Sequence, residues 1–363
     1  MVASVFSTSK FLGHFLAPAL ATVASILIML RPALHWGLVD RPGGRKQHKG
    51  DIPVIGGIAM GVSYLAAMLW WSPMAHGQLY LLTGLMMLVA LGVLDDLRDV
   101  SAKKKLLWQC VAALVMVVPS ASYLYHVGDL VGLGRMELGF LALPFTAVAV
   151  VGLINAVNMS DGIDGSAGGL VATSVLWLAV LATLAGRNAL ALELVMLFGV
   201  TIGFLLFNLR TPLRRKAAVF MGDAGSMMLG ASLAWFAVNI SQTPAPSGLT
   251  PPPIVMLWVL GLPVLDTMVL ICRRIRQGRS PFSAGRDHMH HIWTHAGFSI
   301  AQTTVILMAG NASLGAIGVL GWLAGVPEFA LFVAYVGVFF LHRSLANHAW
   351  LASKWLRLHK QEA

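Results

Sequence analysis

A run of polar residues at regular spacing follows an apolar stretch in the middle of the chain. In the segment 154–169, INAVNMSDGIDGSAGG, the residues Asn155, Asn158, Asp161 and Asp164 recur at every third position before glycines interrupt the pattern. Residues three apart share one face of a helix, and carboxylate and amide oxygens are ligands that suit Mg²⁺. The spacing predicts a helix end that presents oxygen ligands, although GIDG alone would also suit a simple glycine turn.

Three further clusters carry side chains that titrate. They are Asp95 and Asp96 in LGVLDDLRD, Asp223 in VFMGDAGS, and His288, His290 and His291 in GRDHMHH. Carboxylates drawn together repel one another unless a cation neutralises them, and Mg²⁺ commonly links protein carboxylates to substrate phosphates. Lysines and arginines lie beside several of these segments and suit anions. Together the clusters indicate metal-assisted phosphate chemistry.

Each cluster has a simpler interpretation when it is taken alone. The paired aspartates would cap or solvate a helix end, and glycine–aspartate pairs occur in many turns. The histidines would suit a transition metal, but the cysteine or carboxylate spacing of zinc sites is missing from the sequence, so contacts to phosphate are favoured. His48, His126 and His342 stand apart and are interpreted as solvated residues at a membrane interface.

The elements that must position these residues are apolar helices. Hydrophobic residues make up 57% of the 363 residues and charged residues 11%, where soluble proteins carry about 25% charged residues. Apolar runs of about 20 residues are typical of membrane-spanning helices. Eleven candidates occur, near 11–30, 55–73, 79–94, 106–126, 140–157, 167–186, 190–207, 224–240, 253–272, 302–324 and 328–345. The expected fold is an all-α, polytopic integral membrane bundle of about 11 helices, forming a single domain over 1–363.

The distribution of positive charge predicts how this bundle is oriented. All of the 25 Lys and Arg residues except Lys10, Arg135 and Arg187 fall in loops on one side of an eleven-helix chain. Positive residues mark the cytoplasmic face, so we expect the N-terminus outside and the C-terminus inside. The chemical clusters fall on the same side, in loops near 31–54, 95–105, 158–166, 208–224 and 273–299. Topology and lipid headgroups therefore account for the net charge of +10, and no nucleic-acid partner is expected.

Five sequence blocks resemble those of one enzyme family. The blocks, in order from residue 38 to residue 299, are LVDRPGGRKQHKGDIPVIGG, LGVLDDLRDVSAK, INAVNMSDGIDG, VFMGDAGS and SPFSAGRDHMHHIWTHAGFS. The chain resembles the polyprenyl-phosphate N-acetylhexosamine-1-phosphate transferases, in particular their bacterial N-acetylglucosamine branch. The resemblance implies a multi-pass enzyme of the bacterial inner membrane, with a periplasmic N-terminus and a site facing the cytoplasm. It also implies the reaction: N-acetylglucosamine 1-phosphate passes from UDP-N-acetylglucosamine to undecaprenyl phosphate, UMP leaves, and synthesis of a cell-envelope polysaccharide such as O-antigen begins.

The resemblance also implies roles for residues at the matching positions. Mg²⁺, with Mn²⁺ as a substitute, would be held by Asn158 and Asp223. The catalytic residues that it implies are Asp95, Asp96, Asp161, Asp164, His290 and His291. The substrate-binding residues that it implies are Lys49 and Asn208 at the base, Asp164 on the uracil side of the nucleotide, and Arg286, His288, His290 and His291 at the sugar-phosphate region. For Asp95 the roles of base, organiser of metal and lysines, and nucleophile stay open, with direct displacement favoured. A homodimer is a further implication.

Two alternatives remain at this stage. The same phosphotransfer with another UDP-N-acetylhexosamine would use the same motifs. A membrane transporter would also use carboxylates, but transporters place polar groups at mid-membrane in broken helices and often contain internal repeats. Here the polar groups cluster at one interface and no repeat is evident in the sequence.

Overall fold

The architecture is helical, as the apolar runs predict. The structure is a computed structural model that describes residues 8–41, 50–72, 76–280 and 288–347. Within these ranges the helices are α1 Thr8–Trp36, α2 Gly56–Trp71, α3 His76–Arg98, α4 Ala102–Val117, α5 Ala142–Ser160, α6 Ser166–Leu184, α7 Asn188–Asn208, α8 Gly222–Gln242, α9 Pro253–Val259, α10 Gly261–Arg276, α11 Met289–His295, α12 Ile300–Leu323 and α13 Glu328–Asn347. Two short strands, β1 Val39–Asp40 and β2 Ile52–Pro53, pair antiparallel.

Eight helices of the described chain are long and apolar enough to cross a membrane. They are α1, α3, α5, α6, α7, α8, α12 and α13. The bent pair α9 and α10 would make a ninth span, and α2 is a shorter apolar helix. The protein is therefore a polytopic helical membrane protein, and its two short strands are a small departure from the all-α prediction.

The eleven predicted positions all contain helix, but one of the helices ends early and another is broken. The helix predicted over 106–126 ends at Val117, because Pro119 follows and a proline has no N–H with which to continue the helical hydrogen bonds. The helix predicted over 253–272 is broken at Leu260, and its two parts meet at 88°. The count of eleven spans stays a prediction.

Helix α8 is the centre of the bundle. Its sequence is rich in glycine, and almost all of its residues are buried inside the protein. Glycine is what allows this burial: a Cβ on Gly92 of α3 would overlap the backbone of Ala224 in α8. The start of α8 therefore packs directly on the end of α3, where Asp95 and Asp96 lie.

The break between α9 and α10 is satisfied by polar groups from neighbouring helices. Asn311 of α12 accepts a hydrogen bond from Leu262 N (2.9 Å) through Oδ1 and donates from Nδ2 to Thr173 Oγ1 (2.8 Å) and Ser174 Oγ (3.0 Å) of α6. Ser174 Oγ in turn donates to Val259 O (2.9 Å). Backbone groups inside a bilayer need internal partners, and Asn311, fully buried, provides one for the broken segment.

Several helices meet the candidate site at one end of the bundle. The ends of α3, α5 and α7 and the starts of α4, α6 and α8 lie there, joined by the segments 99–101, 161–165 and 209–221. Backbone hydrogen bonds add the start of α2: Phe220 N donates to Pro53 O (2.9 Å), and Gly56 N donates to Phe220 O (3.0 Å). Sequence segments that are far apart thus form one surface.

Candidate active site

An ammonium group bridges two of the predicted catalytic carboxylates. Lys105, in the first turn of α4, donates to Asp95 Oδ2 (3.0 Å) at the end of α3 and to Asp223 Oδ2 at the start of α8. Asp95 Oδ1 also accepts from Val100 N (2.8 Å). All three charged side chains are about one-fifth exposed, so this cluster lies at the edge of the apolar bundle with access to water.

The two predicted metal ligands contact each other beside this lysine. Asn158 Nδ2, near the end of α5, donates to Asp223 Oδ1 (2.7 Å) and to Ser226 Oγ (2.8 Å). Asp96 Oδ1 accepts from the backbone N of Asp223 (3.2 Å), which places this carboxyl group at the N-terminus of α8, where the helix dipole favours its charged form. Helices α3, α5 and α8 therefore bring two carboxylates and one amide together at one point.

This arrangement suits a divalent cation that prefers oxygen ligands. Mg²⁺ usually takes one or two carboxylates from the protein and completes its coordination with water and phosphate oxygens. The carboxylate of Asp223 and the amide of Asn158 fit that requirement, and the Lys105 ammonium already occupies a cation's position against Asp223. Within the described residues, no group of three or more His, Cys, Asp or Glu side chains is arranged to enclose a metal.

Asp161 lies at the end of α5, where the helix gives way to the glycine turn. It is accessible to solvent, but the protein around it raises the pKa of its carboxyl to about 7, first by desolvation and then by the charges of Asp223, Asp96 and Asp164. A carboxyl with this pKa is about half protonated near neutral pH. The like charges that act on Asp161 belong to the same cluster, so the turn brings it to the site.

Asp164 faces the basic segment after α7. Its Oδ2 accepts from Arg210 Nε (2.6 Å) and from Ala217 N (3.0 Å). Only about one-tenth of the side chain is exposed. Asp164 therefore fastens the segment 209–221 to the turn after α5, and its predicted contact with the nucleotide stays a prediction.

Asn208 is a buried link between the same two segments. Its Oδ1 accepts from Gly165 N (2.7 Å), and its Nδ2 donates to Val219 O (2.9 Å). Gly165 has φ of +81°, a conformation that favours glycine. Both ends of the Asn208 amide are engaged and the residue is only 3% exposed, so its position in the structure is that of a support for the site, while its predicted role in binding the base stays a prediction.

The histidine motif packs against the glycine turn. The rings of His288 and His290 stack at 5.2 Å with an interplanar angle of 10°, and the ring of His291 lies 4.3 Å from that of His290. Burial, followed by the charges of His291 and His288, lowers the pKa of His290 to about 3, so this imidazole is neutral at physiological pH. Gly162 lies directly against the His290 ring, and the two motifs therefore form one wall.

Two side chains that were not predicted from the sequence, Asp266 and His342, support the histidine motif on its buried side. Asp266 of α10 accepts from His288 Nδ1 (2.9 Å) and from His342 Nε2 (3.2 Å) of α13. The prediction that His342 is solvated was wrong: it is 4% exposed and contacts a buried carboxylate. The signal for Asp266 was available, because a lone carboxylate in an apolar helix is costly and needs a partner. His126 is partly buried, and His48 lies outside the described residues.

A methyl group at residue 162 would test the contact between the two motifs. Gly162→Ala places a Cβ where the His290 ring lies, so the ring must move. Misplacement of a positioning group by about 1 Å can cost about 100-fold in rate, and we expect a loss of about this size in kcat/KM. The neighbouring substitution Gly152→Ala is the control, because a Cβ there meets no atom within 4 Å. Equal activity of the two variants would contradict the contact.

Two predicted substrate-binding residues, Lys49 and Arg286, lie outside the described residues. The other predicted residues fall into three groups. The first group is centred on Asp223 and its ion pair with Lys105, and it contains Asp95, Asp96, Asn158 and Asp161. The second group fastens the adjoining loops and contains Asp164 and Asn208. The third group is the histidine wall, formed by His288, His290 and His291.

Comparison with known proteins places the chain in a family. Three similar proteins are all named undecaprenyl-phosphate alpha-N-acetylglucosaminyl 1-phosphate transferase. The Haemophilus influenzae protein is 36% identical over 362 residues, 99% of this chain and 98% of the relative. The Yersinia pestis protein is 35% identical over 348 residues, 94% and 93% of the two chains, and the Escherichia coli K12 protein is 35% identical over 327 residues, 88% and 87%. The model of glycosyl transferase family 4 matches residues 78–241.

The chain belongs to glycosyl transferase family 4. The resemblance that the five sequence blocks predicted is thereby confirmed. The residues matched by the family 4 model run from the start of α3 almost to the end of α8, and they include the cluster around Lys105. The histidine wall and Asp266 lie beyond that match but within the full-length similarity to the relatives.

Proposed function

We propose that this chain transfers N-acetylglucosamine 1-phosphate from UDP-N-acetylglucosamine to undecaprenyl phosphate and releases UMP. The observation that carries the proposal is the meeting of four helices at one end of a membrane bundle, where Lys105 bridges Asp95 and Asp223 and Asn158 donates a hydrogen bond to Asp223. Relatives that bear this activity in their names match nearly the whole chain. The product would start a lipid-linked cell-envelope polysaccharide.

In the proposed reaction, an oxygen of the lipid phosphate attacks the β-phosphorus of the nucleotide sugar. The new P–O bond forms as the bond from that phosphorus to the bridging oxygen breaks, and UMP carries the bridging oxygen away. Phosphoryl transfer depends mainly on positioning and on neutralising charge. A phosphate monoester has its second pKa near 6, so it is largely dianionic at pH 7, and Asp95 need not act as a strong base.

The residues of the site would neutralise charge, bind the sugar-phosphate region and support the loops around the nucleotide. Mg²⁺ held by Asn158 and Asp223 would supply positive charge to the pyrophosphate. The Lys105 ammonium is a second cation, and in the structure it forms ion pairs with Asp95 and Asp223. The neutral imidazole of His290 can donate or accept a hydrogen bond at the sugar-phosphate region without adding charge. Asp164 and Asn208 keep the two loops in place around the nucleotide.

A direct assay tests the proposal. Detergent-purified protein is incubated with undecaprenyl phosphate, Mg²⁺ and radiolabelled UDP-N-acetylglucosamine, and label in the lipid phase and free UMP are measured. We expect labelled lipid and UMP in equal amounts, and loss of both when EDTA removes the metal. Transfer only from another UDP-N-acetylhexosamine would change the sugar in the proposal. No transfer from any nucleotide sugar would overturn it.

The break between α9 and α10 is the feature that most resembles a transporter, but the side chains that the structure describes there leave no open binding site. Transporters use breaks of this kind to bind ions or substrates at mid-membrane. Here the side chain of Asn311 occupies the break, and a Cβ on Gly261 would overlap the Leu314 side chain. The polar groups at the break therefore bond to one another, and we retain the transferase proposal.

We further propose a bacterial inner-membrane location, eleven spans, a periplasmic N-terminus and a cytoplasmic C-terminus, with homodimers in the membrane. The positively charged loops and the gathering of the site at one end of the bundle support this orientation. Single cysteines introduced at Ser101 and Ser247, after replacement of Cys110 and Cys272, test it. A membrane-impermeant maleimide should label S247C in intact cells and spare S101C, and the reverse pattern would contradict the orientation.

A further inference from the structure

Asp266 is a nearly buried carboxylate that accepts hydrogen bonds from two other segments of the chain. It lies in the second turn of α10, just beyond the break in the helix, and its side chain is 14% exposed. His288 Nδ1 donates to Oδ2 (2.9 Å), while Met289 N (3.2 Å) and His342 Nε2 (3.2 Å) donate to Oδ1. A carboxylate this far from water is stable because these donors surround it.

The donors show what the carboxylate controls. His288 and Met289 are the cap and first residue of α11, so one carboxylate fixes both the ring of His288 and the backbone direction of the helix behind it. A histidine whose Nδ1 donates to a carboxylate has its tautomer and ring orientation set by that bond. Nε2 is then the ring nitrogen that remains for a substrate.

The same bond is linked to the rest of the site through ring contacts. His288 stacks on His290, and His290 packs against Gly162 in the turn that carries Asp161 and Asp164. On the other side, His342 of α13, 4% exposed, fixes the second oxygen of Asp266. Any change in the Asp266 carboxylate therefore reaches the wall of the site through His288.

We propose that Asp266 is a positioning residue that holds the His288 ring, through Nδ1, with Nε2 presented to the UDP-sugar. The inference rests on the proposed function, because it assigns His288 to the nucleotide-sugar side of the reaction. Asp266 acts through His288 and touches no substrate. Replacing carboxylates that orient metal-ligating histidines in this way typically costs about 10- to 100-fold in metal affinity or activity, and we expect an effect at the lower end of that range for His288.

The test is the separation of two Michaelis constants. Asp266→Asn keeps the shape of the side chain but replaces one accepting oxygen with a donating amide, so it cannot receive all three donors. We expect KM for UDP-N-acetylglucosamine to rise about 10-fold, while KM for undecaprenyl phosphate stays unchanged. A purely structural role would change both constants or only the yield of folded protein.

Glu193→Gln is a matched control for the loss of a buried acid. Glu193 is 1% exposed, its Oε1 accepts from Ser72 Oγ and from Gln78 Nε2 (3.2 Å), and it lies about 22 Å along α7 from the site end. We expect both of its Michaelis constants to match those of the unmodified protein. If Glu193→Gln raises KM for the UDP-sugar as Asp266→Asn does, the effect is not specific to His288 and the proposal fails.

A double variant tests whether Asp266 acts through His288. The double variant Asp266→Asn with His288→Gln should have the same KM for UDP-N-acetylglucosamine as His288→Gln alone. If the increases in KM caused by the two single substitutions multiply in the double variant, the proposal is overturned. If Asp266→Asn does not fold, His288→Asn replaces it: its amide still donates to Asp266 but offers no atom at Nε2, and a normal KM for the UDP-sugar would overturn the proposal. If the unmodified protein has no transferase activity, the proposed function is refuted. If the unmodified protein is active and the variants have its KM for the UDP-sugar, only this inference is refuted.

Discussion

Asp223→Asn is expected to lower turnover about 1000-fold while the protein stays folded. Asp223 accepts hydrogen bonds from Asn158 at one oxygen and from Lys105 at the other. An asparagine of the same shape accepts at only one of these positions and carries no charge. The loss of charge weakens both the predicted Mg²⁺ site and the hold on Lys105, so we also expect the residual activity to need more Mg²⁺. Initial rates over a range of Mg²⁺ concentrations measure both effects.

Asp99→Asn is the control for this experiment. Asp99 lies in the acidic segment of Asp95 and Asp96 but is exposed, and its positive φ of 47° is one that asparagine tolerates well. We expect this variant to retain the rate and the Mg²⁺ requirement of the unmodified protein. A normal rate for Asp223→Asn at normal Mg²⁺ would remove Asp223 from the centre of the mechanism.

Asn311→Leu is expected to destabilise the bundle by about 3 kcal/mol. The leucine is similar in size but leaves Leu262 N, inside the break between α9 and α10, without its acceptor, and deprives Thr173 Oγ1 and Ser174 Oγ of a donor. Buried groups that lose a partner cost more than the mean value of a hydrogen bond. Unfolding in detergent, followed by the loss of monodisperse protein on heating, measures the effect.

Thr303→Val provides the comparison on the same helix. Thr303 is fully buried, and among the described residues its Oγ1 has no hydrogen-bond partner. Removing that hydroxyl leaves no new unpaired group, so we expect unchanged or slightly higher stability. A loss of stability as large as that of Asn311→Leu would show that burial, and not the hydrogen bonds at the break, explains the effect.

Much of the site could be predicted because its residue types and their apolar surroundings indicate what they bind. Asn158 and Asp223 are polar residues beside helix-breaking glycines in apolar surroundings, and their types and charges already suggest oxygen ligands at a helix end. The structure brings them within 2.7 Å of each other. The cytoplasmic side for these residues stays a prediction, made from the uneven distribution of positive residues across a membrane.

The supporting contacts could not be predicted in the same way. Asp266 and His342 are single polar residues in separate apolar helices, and nothing in the sequence says that α10 turns at Leu260 and brings them together. Lys105 is one of three consecutive lysines, so its pairing with Asp95 and Asp223 depends on helix phase. Asn208 was predicted as a contact for the base because of its motif, whereas burial and two backbone hydrogen bonds define its position in the structure.

The lengths of two helices show a further limit of hydropathy. The apolar run after residue 105 continues past Val117, but Pro119 ends the helix there. The run from residue 253 is continuous in hydropathy, yet it contains two helices at 88°. Hydropathy records which residues avoid water, while the direction of the backbone depends on local conformation and on partners such as Asn311 from a distant part of the chain.

The hydrogen bonds between the start of α2 and the segment before α8 also set an order of events during synthesis. A ribosome adds about 5–20 residues per second, so roughly 10 to 30 s pass between the synthesis of Gly56 and that of Phe220. Until then Gly56 N lacks the acceptor that Phe220 O later provides. The first seven helices are therefore made before this end of the bundle can close, and a chain that stalls before residue 220 reaches the membrane with these helices but without an assembled site.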